Sequence, residues 1–290
     1  MIKVAIASGK GGTGKTFLST NLFRVMKEDG LQVGVVDCDA EVPNSVLFLK
    51  GEKKSVWPVE VFCPTIEKDK CLFCGQCAEV CQFHAITCIP ALHYVKVLSD
   101  LCHACTACVH FCPSGAIVSG RKAVGEVTAY GDAEQIHLIE AKIKEGEHSP
   151  VPIISQALRR AETVGWEYLL LDAPPGCACP FVSTVKDADM VLLVTEPTPF
   201  GLSDLKHTVK VLRHLQKPFY VVINRADMGD GQMKAYLQSE HIEVLGEIPY
   251  SERIATLYSK GQLAVSTEPE IRELFVRLKQ KILQYESSCH

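Results

Sequence analysis

Hydrophobic positions along this chain follow two different grammars. Near the start, Lys3–Ser8 (KVAIAS) is a short apolar run that ends in a glycine-rich turn. In the TFLSTNLFRVMKEDG that follows, Leu18, Leu22, Val25 and Met26 keep helical spacing and Gly30 supplies a stop. A second apolar run, Gln32–Asp37 (QVGVVD), comes at once. Strand, helix and strand in that succession make a βαβ unit, which predicts a parallel sheet with a right-handed crossover. The pattern returns in Tyr168–Asp172, Met190–Thr195, Phe219–Asn224 and Glu243–Ile248, with helix-like stretches such as Gly201–Leu215 between them. Nearly continuous apolar strands belong to a sheet covered on both faces. The predicted class is α/β, a mostly parallel sheet with helices on both sides.

Between about residues 61 and 119 this grammar stops, and the stretch becomes rich in cysteine and poor in long apolar runs. It reads as an inserted domain of residues 61–119 within a discontinuous parent domain of residues 1–60 and 120–290. A hydrophobic core alone is marginal for so short an insertion. The last segment, Glu268–Tyr285, carries Ile271, Leu274, Phe275, Leu278 and Ile282 on one helical face. That stripe is expected to dock on the parent domain. The alternative, membrane attachment, is disfavoured because its basic residues are balanced by neighbouring acids.

Composition adds bounds rather than identity. The chain has 290 residues, 47% hydrophobic and 22% charged, with a formal net charge of −4. That balance gives no global reason to expect nucleic acid or an anionic membrane as partner. The opening MIKVAIASGK lacks the parts of a signal peptide, and no apolar run of about eighteen residues appears, so a cytoplasmic chain without a membrane span is expected.

Residues 9–16, GKGGTGKT, fit the pattern G-x-x-x-x-G-K-[ST]. A phosphate group is densely anionic, so the loop that holds it must turn several backbone N–H groups inward, and glycines permit that close approach. Lys15 supplies a point charge for the β- and γ-phosphates, Thr16 a hydroxyl for Mg²⁺, and the following helix its positive N-terminal end. The pattern lies between an apolar strand and an amphipathic helix, which is the context the chemistry needs. Gly9, Lys10, Gly11, Gly12, Thr13, Gly14, Lys15, Thr16 and Phe17 are the expected nucleotide contacts.

Lys10 is an additional lysine directly after the first glycine. With KGGTGKT, Asp37-Cys38-Asp39, Pro43-Asn44 and Asp172-Ala-Pro-Pro-Gly176, the chain resembles the MinD/ParA/Mrp class of deviant Walker ATPases, which includes the nitrogenase iron protein. The resemblance covers nearly all of the chain outside the insertion and implies a SIMIBI-type P-loop NTPase fold. It implies that Lys10 reaches across a nucleotide-sandwich dimer to the phosphates of a partner, either a second copy or a paralogous ATPase. Asp39 is similar to the family's water-positioning residue, and Asp37 and Asp172 to its acids near the metal. An attacking water must be held in line with the γ-phosphate, and Mg²⁺ needs oxygen neighbours, so the chemistry requires such carboxylates. A single Asp at a strand end often only caps a turn, but three at the carboxyl edge of one parallel sheet lie where such folds bind ligands. Asn224 and Arg225 resemble the adenine-contacting end of a later strand, and Pro249 the loop beside it.

CLFCGQCAEVC starts at Cys71 and CHACTACVHFC at Cys102; each reads C-x₂-C-x₂-C-x₃-C. The tight spacing lets three thiolates converge on one face of a metal cluster. In two-cluster ferredoxins the fourth cysteine ligates the other cluster. Carried over to this sequence, that crossing gives one 4Fe–4S cluster to Cys71, Cys74, Cys77 and Cys112, and a second to Cys102, Cys105, Cys108 and Cys81. The tails CQFHAI and CPSGAI resemble the ferredoxin ending, with Gln82 replacing the usual proline in the first copy. The insertion is therefore expected to be a bacterial-ferredoxin-like α+β domain. Structural zinc prefers two separated C-x₂-C knuckles to a triple run, and disulfides do not suit a reducing compartment. Cys63, Cys88 and Cys289 read as packing residues. Cys177 and Cys179 follow the Pro-Pro-Gly turn and read either as packing residues or as holders of a cluster shared across a dimer.

ATP, Mg²⁺ and two 4Fe–4S clusters are thus the expected cofactors. The resemblance implies an ATP-hydrolysing iron–sulfur protein that passes electrons or a metal cluster to a redox or metallocluster client. The alternative it leaves open is a MinD/ParA-like positioning ATPase whose clusters are structural or sensory.

Overall fold

The computed structural model describes residues 1–229 and 231–289, the side chains of Ser288 and Cys289 excepted, so the packing expected of Cys289 falls outside the described side chains. In chain order its elements are β1 (Ile2–Ala7), α1 (Lys15–Glu28), β2 (Val33–Asp37), β3 (Glu52–Ile66), α2 (Gln76–Glu79), β4 (Ile86–Ile89), β5 (Tyr94–Val97), α3 (Ala107–His110), β6 (Ile117–Gly131) and β7 (Ile136–Ile143). Then come α4 (Val151–Glu162), β8 (Tyr168–Asp172), α5 (Cys179–Lys186), β9 (Met190–Thr195), α6 (Pro199–His214), β10 (Phe219–Asn224), α7 (Gln232–Ser239), β11 (Val244–Ile248), α8 (Glu252–Ser259) and α9 (Pro269–Cys289).

The main sheet has nine strands in the order β11-β10-β9-β1-β8-β2-β7-β6-β3. From β11 to β7 every pairing is parallel. The loop between β6 and β7 is too short for a crossover, so that edge turns back on itself and the sheet is mixed. The fold class is the α/β class expected from the apolar runs.

The chain divides into two compact units. One comprises Met1–Trp57, Val127–Lys142 and Ser149–His290; the other comprises Pro58–Glu126 and Ile143–His148. In the larger unit, Leu170 joins a core made with Leu18, Leu22 and Met26 of α1 and Phe275, Leu278 and Ile282 of α9. Its neighbours Leu169 and Leu171 point to the opposite face by strand alternation and are equally buried, as in a sheet covered on both sides. The apolar stripe of α9 is spent on this core: Ile271, Leu274, Phe275, Leu278 and Ile282 are all buried. The helix therefore docks on its own domain, as its pattern predicts. Among the described residues no helix is long and apolar enough to cross a membrane.

The smaller unit has a core of a different kind. Ile86, Val95, Cys108 and Ile117 form its buried cluster, and much of the surrounding packing is sulfur, from Cys71, Cys77, Cys81, Cys88 and Cys112. The two cysteine ladders are a structural repeat as well as a written one. A short 3₁₀ turn precedes each ladder, at Lys68–Lys70 and Ser99–Leu101, and one turn of helix follows its second cysteine, α2 in the first copy and α3 in the second. Left-handed residues recur at matching places, Phe73 with Ala104, Gly75 with Thr106, and His84 with Gly115. Phe73, Ala104, Thr106 and His84 are not glycines, and such backbone persists only where its surroundings over-determine it.

Candidate functional site

Parallel register sets the first site. Asp37 ends β2, Asp172 ends β8, and the two are directly paired across the sheet. β1 ends one strand away and runs into Gly9–Thr16. The phosphate loop and both carboxylates therefore share the carboxyl edge of the sheet, where ligands bind in open α/β folds. Gly12 and Gly14 hold φ of +76° and +103°, which turns successive N–H groups to one side. A methyl group on Gly14 would stand 2.6 Å from Nδ2 of Asn224, whose amide donates to Thr13 O at 2.8 Å.

Asp37 organises the next loop. Its carboxylate accepts from Asp39 N at 3.1 Å, Asn44 N at 3.0 Å and Ser45 N at 2.9 Å. Asp172 accepts from Ser45 Oγ at 3.4 Å through one oxygen, while its Oδ1 is buried without a partner. Burial lifts both carboxyls above their usual range, and the charge of Asp172 lifts Asp37 further. The Thr16 and Ser19 hydroxyls and the Lys15 ammonium pull Asp172 the other way. A buried carboxylate with an orphaned oxygen beside a threonine hydroxyl is a donor set that suits a hard, oxygen-seeking cation such as Mg²⁺. Asp39 is also pushed up by burial, with Lys15 and the Val42 N–H opposing.

A cavity of about 310 Å³ opens from this edge. Gly11, Gly12, Gly14, Lys15, Thr16 and Phe17 form its floor with Asp39 and Asn44, and Asn224, Arg225 and Pro249 line its other end. The adenine-side residues named from the sequence thus share one cavity with the phosphate loop. Three expected residues sit differently. Gly9 and Lys10 lie on a separate small pocket with Thr195 and Asp204, and Thr13 lines that pocket too. Lys10 pairs there with Glu196 at 3.2 Å, and the same buried carboxylate takes Arg225 at 2.9 Å.

Sequence reasoning missed one wall of the cavity, formed by Ser251, Ile254, Ala255 and Tyr258 of α8 and its cap. Ser251 Oγ accepts from Ile254 N at 3.3 Å, a legible capping signal. The approach of Tyr258 to Thr16 was not legible, because only tertiary packing brings it there. Burial and the nearby Asp172 raise its phenol.

In the smaller unit the eight ladder cysteines sort into two small cavities of about 20 Å³ each. One is lined by Cys71, Cys74, Cys77 and Cys112, the other by Cys81, Cys102, Cys105 and Cys108. Each cavity therefore takes three thiols from one ladder and the last thiol of the other. No group of three or more His, Cys, Asp or Glu side chains among the described residues meets closely enough to hold a single metal ion. The thiols ring a space rather than converge on a point, which suits a polyatomic cluster. None of the described cysteines is in a disulfide.

Backbone N–H groups aim at the sulfurs: Phe73 N lies 3.4 Å from Cys71 Sγ, and Ala85 N 3.2 Å from Cys81 Sγ. At Cys112, burial raises the thiol, but the Ser114 hydroxyl and the N–H groups of Ser114, Ala116 and Ile117 outweigh it and bring it below its usual value. Cys77 is pushed up to about 11 by burial and then by neighbouring Cys88, Cys71 and Cys112. Crowded thiols that repel one another's charge are the condition a bound cationic iron core relieves. Cys177 lies elsewhere, 3.2 Å from Thr208 Oγ1, and Cys179 is exposed at the start of α5.

The model of the CobQ/CobB/MinD/ParA nucleotide-binding domain matches residues 4–265. The chain belongs to that family. An uncharacterized protein of Methanocaldococcus jannaschii is 32% identical over 90% of this chain and 91% of its own length. An iron-sulfur cluster carrier protein of Pyrococcus horikoshii is 22% identical over 97% of this chain and 85% of its own. Among solved structures, the septum site-determining protein MinD of Pyrococcus horikoshii, complexed with Mg-ADP, superposes with a TM-score of 0.58. It covers 97% of this chain and 95% of its own at 19% identity, a likeness of fold.

Proposed function

We propose that this chain is a Mg²⁺-dependent ATPase carrying two 4Fe–4S clusters, which couples a nucleotide-driven dimer rearrangement to electron transfer or to cluster delivery. Its main support is the pair of cavities, each lined by four ladder thiols, on a chain that also carries a phosphate loop. Cys71, Cys74, Cys77 and Cys112 would hold one cluster, and Cys102, Cys105, Cys108 and Cys81 the other. When bound, the clusters supply one-electron chemistry at low potential, and Mg²⁺ supplies charge neutralisation at the phosphates.

The chain's own residues do the rest. The N–H groups between Gly11 and Thr16 cradle phosphate oxygens, and Lys15, only 7% exposed, meets them as a point charge in a site with little competing water. Thr16 and the orphaned oxygen of Asp172 would hold the metal, while Asp37 fixes the loop that carries Asp39. Asp39, beside Lys15, orients the attacking water. Asn224, Arg225 and Pro249 bound the base. Lys10 leaves Glu196 to reach the phosphates of a partner, a second copy or a paralogous ATPase. Because Asn44 and Ser45 hang from the same Asp37 that senses the metal, γ-phosphate loss is felt directly in the chain leading to β3. Eight metal–thiolate bonds would also stand in for the small unit's slight apolar core, as metals do in other small domains. Such thiols and clusters fit a reducing, cytoplasmic setting.

The test is anaerobic reconstitution followed by electron paramagnetic resonance of the reduced protein with and without MgATP. Eight irons per chain, and a cluster signal that changes with nucleotide, support the reading. Loss of electrons with iron retained indicates transfer to an acceptor, and iron movement to an apo-client indicates delivery. A colourless protein, or one indifferent to ATP in calorimetry, overturns it.

A further inference from the structure

The first thiol cavity holds one cysteine more than a four-iron cluster needs. Cys88, on β4, lines it together with Cys71, Cys74, Cys77 and Cys112, whereas the second cavity contains only its own four cysteines. The internal repeat makes the asymmetry explicit. Counting from the last cysteine of each ladder, Cys81 and Cys112, the place of Cys88 in the first copy is held by Ser119 in the second.

Cys88 lies among the thiols of Cys71, Cys74 and Cys77. Its Sγ is 3.9 Å from Phe73 O, and the Gly75 N–H faces it, so it touches the backbone immediately before and after Cys74. Pairing of Cys88 with Val95 in the β4–β5 ladder fixes its backbone. Cys74 is the exposed member of its quartet, and Cys105, its counterpart in the repeat, is exposed as well. Of the eight ladder cysteines, Cys74 thus combines access to solvent with a neighbouring spare thiol.

We propose that Cys88 is a fifth, exchangeable ligand of the first cluster, placed to take over the iron that Cys74 holds. This rests on the two-cluster reading above. In the exchange the Cys88 Sγ–H bond breaks and its proton leaves to solvent. A Cys88 Sγ–Fe bond forms as the Cys74 Sγ–Fe bond breaks, and the freed Cys74 thiolate takes up a proton. No electron moves, and the cluster keeps four thiolate ligands from the chain. The first cluster therefore has two ligation states, one of which leaves a free thiol on the surface.

Alanine variants read by iron and sulfide content and by electron paramagnetic resonance test this without reference to ATP turnover. Wild type and Cys88→Ala hold eight irons. Cys74→Ala also holds eight, with an altered line shape from the first cluster, because Cys88 replaces the lost ligand. Cys74→Ala/Cys88→Ala and Cys105→Ala each lose iron at one site, by full loss or by conversion to a three-iron form visible when oxidised. A Cys74→Ala protein that loses iron as Cys105→Ala does overturns the proposal, and so does a double variant that still holds eight.

A second arm leaves every ladder cysteine intact. Iodoacetamide should alkylate Cys74 severalfold faster in the loaded wild type than in loaded Cys88→Ala, read by peptide mass spectrometry. Equal rates contradict the exchange. If wild type itself holds no clusters, the two-cluster reading has failed; if wild type holds eight irons and Cys88 makes no difference, only the role of Cys88 has.

Discussion

Gly14→Ala perturbs the nucleotide site at its tightest point. The residue has a φ of +103°, and a left-handed alanine costs about 1–2 kcal/mol. Its new methyl group would also lie 2.6 Å from Asn224 Nδ2. That atom ends a flexible side chain, so Asn224 swings away and gives up its 2.8 Å hydrogen bond to Thr13 O, worth about 1 kcal/mol. The single substitution should therefore destabilise the larger unit by about 2–3 kcal/mol. In an Asn224→Ala background the hydrogen bond is already gone and the methyl group meets open space, so the same substitution should cost only the conformational part, about 1–2 kcal/mol. The coupling of about 1 kcal/mol between the two sites is the prediction. Urea unfolding followed by tryptophan fluorescence measures it, since Trp57 and Trp166 both belong to the larger unit. Equal costs of Gly14→Ala in both backgrounds would refute the claim that Asn224 braces the phosphate loop.

Three further outcomes follow from the same geometry. Asp37 and Asp172 both have folded-state values raised above their unfolded ones, so the folded chain keeps protons that the unfolded chain has released. The metal-free protein should lose stability as pH rises from about 4 upward through the folded values, and Asp172→Asn should flatten that fall; denaturant midpoints at stepped pH check it, and an unchanged slope speaks against the pairing. Lys15→Ala should abolish ATP turnover while leaving iron content and brown colour unchanged, and parallel loss of both would contradict two separable centres. Iron-free protein should still bind nucleotide in calorimetry while limited proteolysis cuts within residues 58–126, and a fully resistant apo form would mean that this unit does not need its metal.

Much of this architecture is written in local patterns. Parallel strands buried on both faces are continuous apolar words, so YLLLD and MVLLVT name themselves, and GKGGTGKT is constrained over a few residues by what a phosphate requires. β3, β6 and β7 are less legible. β3 alternates exposed and half-buried positions over much of its length, and its EKKSVWPVEV reads as polar chain rather than as strand. Its place at the edge of the sheet follows only from the completed order. The site divides the same way. Residues that share a short motif were visible, whereas Glu196, Tyr258 and Cys88 reach their places through contacts between distant segments that no local spacing records.

Crossing of the ladders is the sharpest test of the whole account, because it ties each cluster to both halves of the repeat. Site-resolved Mössbauer or electron paramagnetic resonance spectra of Cys112→Ala and Cys81→Ala, prepared anaerobically and reduced, measure it directly. Loss of the Cys112 thiol should disturb the cluster shared with Cys71, Cys74 and Cys77, giving the same affected signal as Cys77→Ala, while Cys81→Ala should match Cys108→Ala. If instead Cys112→Ala matches Cys108→Ala and Cys81→Ala matches Cys77→Ala, each ladder keeps its own four ligands and the two-cavity arrangement is contradicted.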